Sequence, residues 1–284
     1  MARPAYGQFD PFPGLATGDA ARARDLAASL ERRARDPEQA AIRAAALDLL
    51  GVAPGERDAL SLDAGCGSGP LTRALARRVG PAGRVVGLDP SPAFLAVARE
   101  LAAGEGLAAR VAFLGGDARA LPFPDAAFDV ALADTVLAHI PGGERALAEL
   151  ARVVRPGGRV GVYDNDSDSA FLAHPDRALT RRIVAAYADH AVVDSWFGRR
   201  AAGLLAAAGL EEIGVRAFTV VERDPAGWYA QLAVWRAETA VRAGAVTRGE
   251  AERWLGELRA EQAAGRHLAG QTGLFTWGRR PPGT

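Results

Sequence analysis

The stretch "LDAGCGSGP", Leu62 to Pro70, sets glycines at 65, 67 and 69 behind Asp63, straight after a short apolar run. Glycine admits positive φ and lets a ligand lie against main chain. A glycine-rich turn leading from a strand into a helix is where an open parallel sheet receives its ligand. A second acid, Asp89, closes the next apolar run, "VVGLDPS". That is about the distance downstream at which such folds use a carboxylate to accept both hydroxyls of a ribose. The two features together suit an adenosine-bearing ligand. A dinucleotide loop, G-x-G-x-x-G, would take Gly65 and Gly67 as its first two glycines and then meet Pro70, so a nicotinamide-dependent oxidoreductase is the weaker alternative. Cys66, inside the loop, reads as a small packed residue.

Further groups could move a proton. His139 follows another apolar run in "DTVLAHIP", and Tyr163 and Asp164 end a third, with Asp166, His174, His190 and Asp194 behind them. Each is a candidate general base of the type that assists attack by a phenol, alcohol or amine. Asp164, Asp166 and Asp168 alternate as an oxygen-ligand set would, but a calcium loop needs glycine and glutamate where Ser169 and Pro175 stand. No metal site is expected.

These residues need elements to hold them. From Ala59 the chain alternates short apolar strands (59–63, 84–88, 110–114, 128–133, 159–163) with helical stretches (70–79, 92–103, 143–152). Such alternation predicts a parallel sheet covered by helices. Ser91-Pro92 caps one helix and Gly104 ends it. Before this block, two helical stretches form an N-terminal extension, the second opening at Asp36-Pro37-Glu38. After Tyr163 comes a polar and then helical stretch, a strand-like "GVRAFTVVE", two more helices, the later one opening on the capping box "TRGE", and a final strand, "TGLFTWGRR". The expected organisation is an extension over residues 1–50 and a single domain over 51–284, with insertions at about 164–198 and 225–268.

Composition excludes several classes of function. The 284 residues are 49% hydrophobic, with 34 basic against 34 acidic side chains, so no global field gathers nucleic acid or anionic lipid. Lysine is absent, which removes Schiff-base chemistry and the phosphate-gripping lysine of P-loop enzymes. One cysteine forms no internal disulfide, and no stretch of about 18 apolar residues runs unbroken. A cytoplasmic protein, without a membrane span, is expected.

Four segments in order, "LDAGCGSG", "VVGLDPS", "GGDARALPFPDAAFDVALAD" and "LARVVRPGGRVGVYD", resemble the class I S-adenosylmethionine (SAM)-dependent methyltransferases. The resemblance implies an α/β fold with a Rossmann-like, seven-stranded, mostly parallel sheet, helices on both faces, and helical insertions covering an acceptor site. It implies that Asp63, Gly65, Cys66, Gly67 and Gly69 surround the methionine part of SAM, that Asp89 with Pro90 holds the ribose, and that Asp117 with Ala118 flanks the adenine. Asp134 would face the methionyl ammonium, with His139, Tyr163 and Asp164 as the catalytic candidates. Trp196, Phe197, Trp228, Tyr229 and Trp235 lie where this family covers its acceptor, and Tyr6, Phe9 and Phe12 could fold over the cofactor. The segment after the fourth strand, Asp134-Thr135-Val136-Leu137, lacks the N-P-P-Y motif of enzymes that methylate bases. The general likeness is to enzymes of quinone and natural-product biosynthesis. The expected partner is therefore a small-molecule acceptor and not nucleic acid, for a monomer or homodimer. A protein that binds SAM without transferring its methyl group is a further alternative.

Overall fold

The computed structural model describes residues 20–52, 55 and 59–283; the aromatic trio Tyr6, Phe9 and Phe12 lies outside them. Strands β1 (Leu60–Ala64), β2 (Arg84–Asp89), β3 (Val111–Gly115), β4 (Phe128–Asp134), β5 (Val154–Leu172), β6 (Glu211–Glu222) and β7 (Ala269–Arg279) form one sheet. Its order is β3-β2-β1-β4-β5-β7-β6. Neighbours pair in parallel except at β7, which runs antiparallel to both β5 and β6. The strand order reverses between β1 and β4, which opens a crevice beyond their carboxyl ends.

Helices α1 (Ala20–Arg35) and α2 (Pro37–Leu49) precede the sheet. Asp36 separates them, its carboxylate accepting the N–H groups of Glu38 and Gln39 at 3.0 Å each. One face of the sheet packs on α3 (Pro70–Arg78), α4 (Pro92–Gly104) and α2 through Leu47, Leu71, Leu75, Val85, Leu95 and Phe113. The other packs on α5 (Gly143–Val153) and α7 (Phe197–Ala207) through Leu62, Leu88, Leu147, Leu150, Val160 and Phe197. Burial on both faces is why the central strands read as apolar runs without alternation. Helices α6 (Arg177–His190), α8 (Trp228–Arg242) and α9 (Arg248–Ala263) make a separate cap around Leu179, Ile183, Ala237 and Trp254. None of the described helices is long and apolar enough to cross a membrane.

One element departs from the sequence expectation. The polar run after Tyr163 continues β5 as far as Leu172, paired with β7 from Asp164↔Leu274 to Leu172↔Ala269 around a bulge. Its composition argues for a turn, but the ladder offered by β7 outweighs local preference, as strand formation generally follows its neighbours. Ser169 fills the bulge: its Oγ accepts the Thr272 N–H at 2.9 Å and donates to the Asp166 carbonyl at 2.6 Å. The helical part of this insertion therefore starts at α6.

α1 is fixed to the glycine loop by a buried polar network. Arg73 of α3 donates to Glu31 of α1 at 2.7 Å, to the Ser68 carbonyl at 2.7 Å and to Glu105 at 3.1 Å, while the Ser68 hydroxyl donates to Glu31 at 2.7 Å. Leu26 and Ala27 pack beside this network on Phe94 of α4. Removing one partner of a buried pair leaves the other charged and dry, which costs far more than an exposed bridge is worth. Glu31→Ala is accordingly expected to lower stability by about 3 kcal/mol in urea denaturation, and a loss comparable to that of an exposed bridge would contradict the network's role.

Candidate functional site

The loop after β1 is strapped down by main-chain bonds, with the N–H groups of Gly65 and Cys66 both donating to the Leu88 carbonyl of β2 at 2.7 and 3.0 Å. Gly65 has φ +80° and lies so close to Val136 that a Cβ would stand 2.4 Å from its Cγ2. No other residue fits there. Gly67 and Gly69 are also left-handed, at φ +53° and +82°, and Gly69 caps α3 directly before Pro70. The Asp89 carboxylate closes the arrangement: Oδ2 accepts the Gly67 N–H at 2.9 Å and Oδ1 the Ser91 N–H at 2.8 Å. Asp89 is thus the pin of the loop as well as a group at its rim.

Beyond these strand ends lies a cavity of about 410 Å³, within the usual range of small-molecule sites. It is lined by Asp63, Gly65, Cys66, Gly67, Asp89, Pro90, Asp117, Ala118, Asp134, His139, Tyr163 and Asp164. Among the sequence candidates for the cofactor, only Gly69 stands back from the lining, one position before Pro70. Cys66 is buried, and burial pushes its thiol pKa up, as suits a packed thiol and not a nucleophile. Asp117 is engaged by its own neighbour: Arg119 donates its backbone N–H and both Nε and Nη2 at 2.6–3.0 Å. That pair holds the Asp117 carboxyl below its ordinary value.

The acids on the floor differ in kind. Asp63 is buried and accepts the Thr72 hydroxyl at 2.6 Å. Desolvation, and then the neighbouring charges of Asp134 and Asp89, push its pKa up to about 7. Asp164 is 1% exposed and, among the described residues, neither carboxylate oxygen has a partner in good hydrogen-bond geometry. Burial raises it to about 7 as well, against the pull of His139 and the Ala138 backbone. Between them the turn after β4 is strained: Thr135 has φ +55° and donates its N–H to the Tyr163 carbonyl at 2.6 Å. Non-glycine residues in this region cluster at functional sites. His139 ends the short 3₁₀ turn Leu137–His139 that follows.

Several candidates lie elsewhere, for evident reasons. Asp166 takes a two-pronged contact from Arg199, and Asp168 accepts the Trp196 indole N–H at 2.7 Å. His174 is stacked on Trp254 and hydrogen-bonded to its carbonyl at 3.0 Å. Asp194 pairs with Arg200, and His190 ends α6 away from the lining. Trp196 is exposed and Phe197 belongs to the core beneath α7. Trp228, Tyr229 and Trp235 do line the cavity.

Residues missed from sequence come from distant segments. Arg33, Gln39 and Arg43 enter from α1 and α2, Tyr187 from α6, and Gln271 and Phe275 from β7. One signal was present, in the glycines of β7. The Tyr163 phenol lies on Gly273, where a Cβ would come within 1.9 Å of its oxygen. Glycine inside a strand marks such a close approach.

The buried acids set a pH dependence. The folded state keeps protons on Asp63 and Asp164 up to about pH 7, whereas the unfolded chain releases them near pH 4. Stability is therefore full at low pH and is lost as pH rises towards 7, because the native state binds more protons. The ligand-free melting temperature is expected to fall between pH 5 and 7.5 and to level off above 8. Asp164→Asn removes part of that fall, and an unchanged profile in this variant would contradict the assignment.

The comparisons with known proteins bear on the same region. Residues 62–162 match the family described as "Methyltransferase domain". The chain is 38% identical over 215 residues to an uncharacterized 37.1 kDa protein in transposon TN4556 of Streptomyces fradiae, covering 75% of this chain and 61% of that protein. It is 42% identical over 118 residues to a ubiquinone/menaquinone biosynthesis C-methyltransferase of Ectopseudomonas mendocina, covering 42% of this chain and 45% of that one. The chain thus spans less than two thirds of these relatives' lengths. The YcgJ protein of Bacillus subtilis superposes with a TM-score of 0.56 at 20% identity, over 84% of this chain and 100% of that one, which establishes the shared fold.

Proposed function

We propose that this chain, whose residues 62–162 match the family described as "Methyltransferase domain", is a class I SAM-dependent methyltransferase that transfers the methyl group of SAM to a small apolar or aromatic acceptor. The observation that carries the reading is the convergence on one cavity of a left-handed glycine loop, a carboxylate bonded to that loop, and a floor of buried acids. Each fits a part of the cofactor. Asp89 has lone pairs left for ribose hydroxyls beyond the two N–H groups it accepts, and the loop from Gly65 to Gly67 presents main chain to the amino-acid tail. Asp63 and Asp134 repel each other in a dry site, and a ligand carrying an ammonium and a sulfonium relieves that repulsion. SAM supplies an electrophilic methyl group.

The protein's own task is then to hold a nucleophile in line and exclude water. Trp228, Tyr229, Leu232 and Phe275 provide the apolar wall for the acceptor. His139 takes the proton of an attacking O–H, N–H or activated C–H, and the buried Asp164, whose titration already feels the charge of His139, stabilises the resulting imidazolium. Burial of Asp164 keeps it responsive near neutral pH. Tyr163 braces the acceptor side from its seat on Gly273. Its pKa is raised by burial, so it acts as a neutral phenol and not as a base. The domain boundary near residue 50 is read as functional, with α1 and α2 forming the roof of the site, and the lone packed Cys66 suits a reducing, cytoplasmic setting.

Asp89→Ala is expected to weaken SAM binding by about 1–3 kcal/mol, the scale of losing charged hydrogen bonds. Calorimetry with unchanged affinity would overturn the cofactor assignment. His139→Ala and Asp164→Asn are expected to lower turnover to S-adenosylhomocysteine by about 10²-fold or more with trial acceptors while leaving SAM affinity within a few-fold. Equal loss of binding and turnover would make both residues structural.

A further inference from the structure

The cavity is divided by charge. Its floor carries Asp63, Asp89, Asp134 and Asp164, whereas its roof carries Arg33 of α1 and Arg43 of α2. Arg43 faces the charge of Asp134 and donates to the Ala34 carbonyl at 2.6 Å. Arg33 is different. Among the described residues it makes no ion pair, its Nε is buried without a hydrogen-bond partner, and its guanidinium lies 5.8 Å from the centroid of the Trp228 ring. Its position against Trp228 sets it beside the aromatic wall, and its charge is felt at Tyr163 and Tyr229.

A second cation stands behind the same wall. Arg236 is fully buried in α8, with Nε and Nη1 unpartnered among the described residues and its guanidinium 5.6 Å from the Tyr187 ring centroid. The acid whose charge is felt at Arg236, Glu222, spends its oxygens on the N–H groups of Tyr229 and Ala230, at 3.1 and 2.9 Å, at the start of α8. Arg236 Nη2 donates to Gln271 Oε1 at 2.9 Å. A guanidinium only donates, so this contact fixes the Gln271 oxygen toward Arg236 and, among the described residues, leaves the amide N–H donors of this cavity-lining residue unspent. Buried cations of this kind without an acid are costly unless a ligand supplies the charge.

We propose that Arg33 is a specificity-determining residue for an acceptor that carries an ionised oxygen, a carboxylate or an acidic hydroxyl, on a flat apolar body. The guanidinium receives the oxyanion, the Gln271 amide donates a further hydrogen bond, and Trp228, Tyr229 and Phe275 enclose the ring. A planar donor fork matches a carboxylate better than any other side chain does. The inference rests on the methyltransferase reading for the word acceptor, but the anion preference itself belongs to the cavity.

The test uses the full chain and two probes of equal shape, 2-naphthoate and 2-naphthamide, titrated with and without saturating S-adenosylhomocysteine. Wild type is expected to bind the acid at least about 10-fold more tightly than the amide, the scale of one charge-assisted hydrogen bond. Arg33→Met brings the two within about 2-fold, Arg33→Lys keeps part of the preference, and S-adenosylhomocysteine affinity stays within about 3-fold in both variants. The proposal is overturned by equal affinities in wild type, by binding of neither probe, by a preference that survives Arg33→Met, or by loss of S-adenosylhomocysteine binding in that variant, which would make Arg33 a cofactor residue. Failure of wild type to bind S-adenosylhomocysteine overturns the methyltransferase reading alone, and the titrations without it still decide the role of Arg33.

Discussion

The bond from the Gly67 N–H to the Asp89 carboxylate joins the ends of β1 and β2, and the site takes its shape from that contact. It requires the loop to pass through left-handed backbone at 65, 67 and 69, which only glycine does at little cost. It also takes Asp89 out of water, and burial raises its pKa while the two main-chain N–H groups oppose that rise. A single acid is thus made rigid at the rim of a cavity before any ligand arrives. Positioning of this kind reduces the ordering that a ligand must supply on binding.

The second layer of support is the clamp of α1. Glu31, Arg73, Ser68 and Glu105 form a connected set in which every charged group is answered by another. The loop is therefore braced from β2 on one side and from the N-terminal helix on the other. That same helix carries Arg33 into the cavity two residues after Glu31. Stability of the roof and chemistry of the roof are in this way tied to one short segment. The acids below and the cations above then give the cavity a polarity across its height, and a cationic cofactor with an anionic partner would match it.

Much of the frame was legible because periodicity and caps are local properties. The alternation of apolar runs, the Ser91-Pro92 start of α4, whose cap Ser91 accepts the Phe94 N–H at 3.4 Å, and the capping box at Thr247 each appear in the structure. The ordered motifs also placed Asp63, Asp89, Asp134, His139, Tyr163 and Asp164 around one crevice, since the carboxyl ends of adjacent parallel strands must lie together and β5 brings Tyr163 level with Asp134 at the end of β4. Composition misled at the run from Asp164 to Ser169. Its partner strand is about 100 residues away, and no local preference reports that pairing.

The sequence by itself determined the order of strands and helices, the glycine loop, and which acids stand at the ends of β1, β2 and β4. Only the tertiary structure decided which cations and aromatics close the cavity. Arg33, Tyr187 and Gln271 come from α1, α6 and β7, and nothing in their own neighbourhoods distinguishes them from the other arginines, aromatics and amides nearby. Their meeting depends on how the cap helices dock on the sheet, an outcome of many weak apolar contacts summed over the whole chain. The raised pKa of Asp164 has the same origin: a carboxyl is an ordinary acid until distant segments remove its water.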